Sequence, residues 1–424
     1  MSESRREDAL KERAVLVGLG MEEFADSEEF RALDELSELA RTANVQAVAR
    51  VWQRKRQPDV ATWIGKGKVD EVAGLVREHE AEVVICDSEL SPRQVRNLEK
   101  EIGVRVIDRS ELILDIFAAH ARTVESRLQV ELAQLLYTRN RLTRMWSHLS
   151  RITGKAGVGS RGPGEKQLET DRRLVDHRVT MLERELAEIK ARKVRQVATR
   201  RDELTISLVG YTNAGKSTLM AKLTGADVYC ADQLFATLDT KTSDFELASG
   251  KRILLSDTVG FVDKLPHHLV ASFHATLEEV RQAKLLLHVV DASSPDVERQ
   301  IATVQRVLGD ELGIKDREEI MVLNKIDRVT DPVDRSILLE RHPGAVAVSA
   351  VTGAGIDLLL ARLQAFDDAN RSEIDLRLPV ADGRTMAELQ KVAEILSLDY
   401  GETEVAVRAR IPNELAGLFK RFER

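Results

Sequence analysis

The residues best suited to chemistry form the run from Gly210 to Thr218, which reads Gly-Tyr-Thr-Asn-Ala-Gly-Lys-Ser-Thr. The run fits G-x-x-x-x-G-K-S, a pattern that wraps backbone N–H groups around a phosphate chain. Its glycines place no side chain in the way, and the helix expected from Lys216 adds its positive dipole end. Lys216 can reach the β- and γ-phosphate oxygens, and the Ser217 hydroxyl can complete the coordination of a bridging Mg²⁺. The predicted ligand is therefore a nucleoside triphosphate with Mg²⁺.

Two later segments extend the predicted site toward the metal and the γ-phosphate. The run Asp257-Thr-Val-Gly260 follows apolar residues and so stands at the end of a predicted strand. Asp257 is expected to hold Mg²⁺ through a water molecule, with the Gly260 N–H near the γ-phosphate. Thr237 is the candidate for a loop threonine that joins the γ-phosphate to Mg²⁺. The predicted catalytic residues are Lys216, Thr237 and Gly260, and the predicted metal ligands are Ser217 and Thr237, with Asp257 acting through water.

The base of the nucleotide is predicted from the run Asn324-Lys325-Ile326-Asp327, which follows another apolar run. The Asp327 carboxylate can accept hydrogen bonds from both the N1–H and the N2–H₂ of guanine. Adenine offers no such pair of donors, so this residue favours GTP and GDP over ATP. Ser349 and Ala350, after a further apolar run, would supply a backbone N–H to the guanine oxygen.

The residues predicted to contact the nucleotide lie in five segments of the chain. They are Gly210, Tyr211, Thr212, Asn213, Ala214, Gly215, Lys216, Ser217 and Thr218; Phe235, Ala236, Thr237, Leu238 and Asp239; Asp257, Thr258, Val259 and Gly260; Asn324, Lys325 and Asp327; and Ser349, Ala350 and Val351. Any one segment could be an ordinary polar strand end. Their common order and separation indicate one site at the carboxyl ends of parallel strands.

The elements that position these segments predict a multidomain α/β protein. Residues 1–121 alternate strand and helix signals, which predicts an α/β domain with a mainly parallel sheet. Residues 122–201 predict a basic antiparallel helical hairpin with a linker, and residues 202–370 a doubly wound P-loop domain. Residues 371–424 predict a small α+β domain, with strands at 374–378 and 404–408 and helices at 386–396 and 413–422. The sequence gives no ligand for that last domain.

A second phosphate site is a weaker possibility in the first domain. Gly65-Lys66-Gly67-Lys68 opens a predicted helix and could contact a phosphate. It lacks the spacing of either common phosphate-loop motif, so a simple helix-entry turn is the favoured interpretation.

The hairpin is predicted from two apolar stripes at helical spacing. They comprise Leu128, Leu132, Leu135, Leu142, Trp146 and Leu149, then Leu168, Val175, Val179, Leu182, Leu186 and Ile189. The joining loop, residues 154–164, has five glycines in eleven residues. Residues 122–201 hold 19 Lys and Arg against 9 Asp and Glu, a net +10 in a chain whose overall charge is −7.

This local charge favours contact with RNA, although a flexible linker between two ordinary helices, with solvated charges, is the alternative. The candidate RNA-contact residues are Lys155, Arg161, Lys166, Arg172 and Arg173.

The motifs together resemble the HflX family of ribosome-associated, translation-factor-related GTPases. The resemblance lies in Gly210-Tyr-Thr-Asn-Ala-Gly-Lys-Ser-Thr218, Leu234-Phe-Ala-Thr-Leu-Asp239, Asp257-Thr-Val-Gly-Phe261 and Leu265-Pro-His-His-Leu269. Gly162-Pro-Gly-Glu-Lys-Gln-Leu-Glu-Thr-Asp-Arg-Arg173 is similar to the family's helical-region signature. The resemblance implies GTP hydrolysis, binding to the large ribosomal subunit and its RNA, and dissociation or rescue of stalled ribosomes.

A different class of function stays open from the residues alone. The hairpin could be a coiled-coil surface through which a signalling-type GTPase acts on a protein effector. Metabolic kinases with the same phosphate loop are disfavoured, because they have no need of a guanine reader such as Asp327.

The position after Gly260 predicts slow hydrolysis by the free protein. Many GTPases place a glutamine there to orient the attacking water, whereas this chain has Phe261. A phenyl ring can neither donate to nor accept from water. We expect the partner to supply the missing group, and His267 or His268 is the alternative within the chain.

Bulk properties predict a cytoplasmic protein without a membrane anchor, and we expect it to be a monomer when free. The chain is 43% hydrophobic and 31% charged, and Met1-Ser-Glu-Ser-Arg-Arg-Glu-Asp8 is too polar for a signal peptide. No apolar run is long enough to span a bilayer. Cys86 and Cys230 are too far apart to suggest a disulfide framework or a metal cluster, so buried or idle thiols are expected.

Overall fold

The structure is a computed structural model that describes residues 12–20, 26–152, 163–198, 204–225, 233–247, 250–264, 278–314 and 317–423. Within these ranges, no helix is long and apolar enough to cross a membrane.

The first part of the chain forms a parallel sheet with helices on both faces, as its alternating pattern predicts. Its elements are β1 (Glu12–Gly20), α1 (Asp26–Thr42), β2 (Val45–Arg54), α2 (Lys66–Glu78), β3 (Val83–Cys86), α3 (Pro92–Ile102), β4 (Arg105–Asp108) and α4 (Arg109–His120). The strand order is β2-β1-β3-β4, and every pairing is parallel. Helix α4, which leads directly out of the last strand, was not predicted.

Local chemistry sets the helix boundaries in this domain. Ser91 and Gln94 form a capping box at the start of α3, and Gly103 ends the helix at a φ of 90°. Gly65 caps α2 in an extended conformation, and its N–H donates to the Gln53 side chain at 2.7 Å. Residues 65–68 are thus a helix-entry turn, the interpretation that the sequence favoured. Cys86 is a buried free thiol, and burial raises its pKa.

The middle part of the chain is a pair of long helices, α5 (Val124–Ile152) and α6 (Pro163–Ala198). Leu132, Val179, Leu182 and Leu186 form their buried seam. Glu131 pairs with Arg178, and Arg139 pairs with Asp176, so the helices run antiparallel. The predicted loop at 154–164 was too long at one end, since α6 begins at Pro163. Lys155 and Arg161 lie outside the described residues.

The next part of the chain forms the nucleotide sheet and its helices. Its elements are β5 (Leu204–Val209), α7 (Lys216–Thr224), β6 (Lys241–Glu246), β7 (Arg252–Asp257), α8 (Glu278–Gln282), β8 (Leu285–Asp291), α9 (Val297–Arg306), β9 (Glu319–Asn324), α10 (Pro332–Arg341), β10 (Val346–Ala347) and α11 (Ile356–Ala369). The strand order is β10-β9-β8-β5-β7-β6, parallel except for the edge strand β6. The phosphate-loop strand β5 lies between β8 and β7, where the order of the strands changes direction. This is the position at which such sheets bind ligands.

The last part contains β11 (Arg371–Pro379), α12 (Gly383–Val392), β12 (Glu394–Tyr400), β13 (Glu404–Pro412) and α13 (Asn413–Phe419). The antiparallel order is β11-β13-β12. The predicted helix at 386–396 was wrong at its end, because Ala393 turns to an extended conformation and β12 follows. A hairpin closed by the Gly401 N–H and the Glu404 carbonyl at 2.9 Å pairs β12 with β13, and this long-range pairing overrides helix propensity.

One hydrophobic core joins the first sheet to the nucleotide sheet. Phe117 on α4 meets Phe235 edge to face, with ring centroids 4.7 Å apart. Tyr211 and Phe261 lie in the same cluster as Leu16 and Leu33. The loops around the phosphate site therefore pack directly on the first domain, an arrangement that the sequence did not predict.

Candidate nucleotide site

The phosphate loop is built around glycines that admit no side chain. Gly210 has a φ of 153°, and an added Cβ would lie 2.1 Å from the Val289 carbonyl oxygen. Gly215 has a φ of 91°, and its Cβ would lie 2.3 Å from the Asn324 side-chain nitrogen. Both distances are far below contact, so only glycine fits at these positions.

Two of the predicted catalytic residues lie against each other. Lys216 is buried, and its Nζ donates to the carbonyl oxygens of Gly210 and Tyr211 at 3.1 and 2.9 Å. Burial lowers the pKa of this ammonium group to about 8, although the nearby Asp257 carboxylate opposes the shift. A Cβ on Gly260 would lie 3.0 Å from this Nζ. The Lys216 ammonium and the Gly260 backbone thus line one small space.

The three residues predicted to hold Mg²⁺ are also together. The Ser217 hydroxyl lies 2.7 Å from the Thr237 hydroxyl and donates to Oδ2 of Asp257 at 2.6 Å. Asp257 is fully buried, which raises its pKa. Its Oδ1 has no hydrogen-bond partner among the described residues. Hydroxyl and carboxylate oxygens are the ligands that Mg²⁺ prefers, so this group fits the ion.

The pocket at this end is lined by twelve residues, of which eleven were predicted. They are Thr212, Asn213, Gly215, Lys216, Ser217, Thr218, Gln233, Phe235, Ala236, Thr237, Thr258 and Gly260. Gln233 was not predicted, because it lies just before the motif at residues 234–239. Leu238 and Val259 are buried, which leaves their backbone as the part able to contact a nucleotide. The Asp239 carboxylate accepts hydrogen bonds from Arg122 and Thr123, just before α5. Its side chain therefore does not make the predicted nucleotide contact.

Asn324 joins the loops of the predicted base site. Its Nδ2 donates to the Ala214 carbonyl at 2.9 Å, and its Oδ1 accepts the Ala350 N–H at 3.0 Å. The Ser349 N–H donates to the Ala354 carbonyl at 2.9 Å. Both of the backbone donors predicted for the guanine oxygen thus have acceptors within the chain. Guanine would have to share the Ala350 N–H with Asn324 or replace that bond.

Lys325 and Asp327 take different positions in this loop. The Lys325 Nζ donates to the Asn213 carbonyl and to Asp291, both at 2.7 Å. Sequence reasoning missed Asp291, whose only signal is its place at the end of the apolar strand β8. Asp327 lies exposed on a 3₁₀ turn, Ile326–Arg328, where its carboxylate is open to a base. Val351, the last residue of the predicted base site, is also exposed.

Charged residues of the first domain reach the phosphate loop and the segment after Gly260. The Tyr211 hydroxyl donates to Glu35 at 2.6 Å and accepts the Asp263 N–H at 2.8 Å. Buried Arg109 pairs with Asp87 at 2.7 Å and with Glu35 at 3.1 Å. Arg109 also donates to the Asp263 carbonyl oxygen at 3.1 Å. No motif in the sequence pointed to this network.

Three family models match consecutive parts of the chain. They are described as GTP-binding GTPase N-terminal, over residues 31–118, GTP-binding GTPase Middle Region, over 120–200, and 50S ribosome-binding GTPase, over 205–325. GTPase HflX of Lacrimispora saccharolytica is 42% identical over 408 residues, which cover 96% of this chain and 95% of that protein. GTPase HflX of Escherichia coli (strain K12) is 43% identical over 408 residues, 94% of each chain. The chain belongs to the HflX family of GTPases.

Family membership confirms the resemblance seen in the motifs, the multidomain α/β fold class and the predicted activity. This HflX protein is an enzyme that hydrolyses GTP to GDP and phosphate. Among solved structures, a GTP-binding protein from the archaeon Sulfolobus solfataricus in complex with GDP is 24% identical, with a TM-score of 0.44. The match covers 84% of this HflX chain and 98% of that chain.

Proposed function

We propose that this HflX GTPase binds the large ribosomal subunit and its RNA through the basic hairpin. Its nucleotide state then controls binding and the dissociation or rescue of stalled ribosomes. The observation that carries the proposal is the hairpin's charge, 19 Lys and Arg against 9 Asp and Glu over residues 122–201. On α6, Arg172, Arg173 and Arg192 are exposed. The description of the model matched by residues 205–325, a 50S ribosome-binding GTPase, supports the large subunit as partner.

The shape of the hairpin supports a contact made at a distance from the nucleotide. Helix α6 has 36 residues, which corresponds to a length of about 54 Å. A long basic arm on an acidic chain concentrates attraction for phosphate groups on one surface. Lys155, Arg161 and Lys166 remain predicted RNA contacts.

Mg²⁺ is the cofactor in this proposal, held by Ser217 and Thr237 directly and by Asp257 through water. The ion would neutralise charge on the β- and γ-phosphate oxygens when bound. Lys216 and the Gly260 N–H act on the same phosphates, while Asp327 selects guanine. Removal of Mg²⁺ with EDTA should abolish hydrolysis, and Ser217→Ala should raise the Mg²⁺ concentration needed for half-maximal rate.

The experiment for the main proposal is binding to purified large subunits with GDP and with a non-hydrolysable GTP analogue. We expect tighter binding with the analogue and a steep loss of affinity as salt rises, because phosphate contacts release counterions. Glu replacements at Lys155 and Arg161 should weaken binding and leave hydrolysis by the free protein intact. Small subunits are the control. Large-subunit affinity that does not change with nucleotide or with these replacements would contradict the proposal.

The second candidate is a switch that acts on a protein effector through the hairpin. Leu174 and Met181 lie seven residues apart on α6, with 64% and 43% of their surfaces exposed. They give that helix face two apolar side chains that a partner protein could cover. Salt-insensitive binding to a protein, without affinity for subunits, would favour it. In the ribosomal proposal the protein acts in the cytoplasm and is a monomer when free.

A further inference from the structure

The loop that carries Thr237 contacts the hairpin at Asp239. We call the segment 234–239 switch I, because its threonine belongs to the predicted Mg²⁺ group. Oδ1 of Asp239 accepts a hydrogen bond from the Thr123 hydroxyl at 2.7 Å. Oδ2 accepts the Arg122 backbone N–H at 3.2 Å. Both donors stand immediately before α5, so a carboxylate of the nucleotide domain binds the start of the hairpin.

Thr123 is the cap of α5, which makes this contact directional. Its hydroxyl accepts the Ser126 N–H at 3.1 Å, and its carbonyl accepts the Arg127 N–H at 3.1 Å. Asp239 therefore sits at the positive end of the helix dipole and bonds to the residue that fixes the first turn. Hydrogen bonds to a charged acceptor are stronger than neutral ones and lose energy when their angle changes.

Thr237, two residues before Asp239, lies in the predicted nucleotide site. The Thr237 hydroxyl lies 2.7 Å from the Ser217 hydroxyl. Leu238, between Thr237 and Asp239 in the chain, is 1% exposed. Two peptide units separate Thr237 from Asp239, about 7 Å when fully extended. Because this connection is short and its middle side chain is buried, Thr237 and Asp239 can move little relative to each other. A displacement of the Thr237 backbone must therefore reach Asp239.

The hairpin is attached to the first domain as well as to switch I. Arg141 on α5 pairs with Glu111 on α4 at 2.9 Å. Switch I also contacts α4 through the apolar edge-to-face pair of Phe235 and Phe117, and an apolar pair tolerates sliding better than a hydrogen bond does. Between α6 and the nucleotide domain, Lys190 pairs with Glu278 at 2.8 Å, with the Lys190 side chain 43% exposed. Such a pair contributes little to orientation.

We propose that Asp239 is a positioning residue that couples the nucleotide site to the orientation of the hairpin. The inference rests on the proposed function, in which the hairpin is the arm that meets the ribosome. When Thr237 is drawn toward Mg²⁺ and a γ-phosphate, Asp239 moves with it, and the start of α5 either follows or loses its acceptor. Linkage makes the effect reciprocal, so ribosome binding changes the affinity for GTP by the same factor.

The test measures the hairpin's position in the full chain without a ribosome. Spin labels are placed at Leu174→Cys on α6 and Asp334→Cys on α10, both exposed, in a Cys230→Ser background that keeps buried Cys86. Distances are recorded with saturating GDP and with a saturating GTP analogue plus Mg²⁺. We expect two distance distributions in the parent. Asp239→Ala should give one distribution whichever nucleotide is present.

Matched variants separate coupling from general damage. Thr123→Val removes one of the two hydrogen bonds to Asp239 and should reduce the shift, while Thr123→Ser keeps the hydroxyl and should behave as the parent. Asp244→Ala removes an exposed carboxylate on β6 that pairs with Arg252, and it should also retain the shift. If Asp239→Ala does not fold, the two Thr123 variants decide the question.

The outcomes also distinguish this inference from the proposed function. A parent-like shift in Asp239→Ala, or no shift in the parent, would overturn the coupling even if large subunits are bound. A shift that Asp239→Ala abolishes would support the coupling even if subunits are not bound. Where they are bound, the parent's preference for the GTP-analogue state should be about 5-fold or more. In Asp239→Ala that ratio should approach one.

Discussion

The hydroxyl of Tyr211 in the phosphate loop donates a hydrogen bond of 2.6 Å to Glu35 in the first domain. The same hydroxyl accepts the Asp263 N–H at 2.8 Å, three residues after Gly260. Burial raises the pKa of the Tyr211 phenol, and the Glu35 carboxylate adds to the effect, so the phenol stays a neutral donor. One side chain thus connects the phosphate loop, the segment after Gly260 and the first domain.

Tyr211→Phe should destabilise the folded protein, because it removes a hydrogen bond to Glu35, which keeps its pair with Arg109, and leaves the Asp263 N–H without its acceptor. The expected loss is about 1 to 3 kcal/mol in the free energy of unfolding, measured by denaturant titration. Tyr400→Phe is the matched control, since Tyr400 is 73% exposed in the last domain. Equal stability of the two variants would show that the hydroxyl contributes nothing to the interface.

Asp327→Asn should weaken GTP binding by about 2 to 4 kcal/mol, because a charge-assisted pair with the guanine edge is lost. Xanthine presents a carbonyl where guanine has its amino group, so xanthosine triphosphate should gain affinity. Dissociation constants of the two nucleotides, measured by titration calorimetry, give the change in preference. Asp334→Asn, another exposed aspartate, is the control, and unchanged GTP affinity in Asp327→Asn would remove the assignment.

Gly260→Ala should slow hydrolysis, because the added Cβ would lie 2.6 Å from the Thr212 Cα and 3.0 Å from the Lys216 Nζ. The methyl group must displace backbone or the lysine, and a misplacement of about 1 Å can cost on the order of a hundredfold in rate. Single-turnover hydrolysis measures the effect. Gly74→Ala in α2 is the control, since nothing lies within 4 Å of its Cβ. Parent-like turnover in Gly260→Ala would show that the loop yields without cost.

Phe261→Gln should not accelerate hydrolysis, although glutamine is the common residue at this position in other GTPases. The Phe261 side chain is 3% exposed in the core between the domains, so a glutamine there would bury an amide. We expect lower stability, by about 1 to 3 kcal/mol, with no gain in rate. Large subunits should raise the parent's single-turnover rate well above that of the free protein.

The paired variant His267→Ala with His268→Ala tests the catalytic alternative within the chain. These histidines lie outside the described residues. A collapse of the basal rate would assign the water-orienting role to them, and equal parent rates with and without subunits would contradict activation by the partner.

The sequence by itself determined the glycines of the phosphate loop and which residues meet as the predicted metal group. Gly210 and Gly215 must be glycine because a Cβ there would collide with atoms of the neighbouring strands β8 and β9, and that requirement leaves a readable spacing along the chain. Ser217, Thr237 and Asp257 were predicted as one group and lie together, because parallel strands bring their carboxyl ends to one edge of the sheet.

Only the tertiary structure decided which way the remaining side chains face. Tyr211 belongs to the motif, yet its hydroxyl binds a carboxylate 176 positions away, and Asp239 binds a threonine 116 positions away. Phe261 packs in a core shared with the first domain. Local spacing carries no signal for such contacts, because they depend on how separately folded sheets pack against each other. Tertiary structure also decided the strand at Glu394–Tyr400, where a helix was predicted to continue to residue 396. Pairing with β13 outweighed the helical preference of those residues.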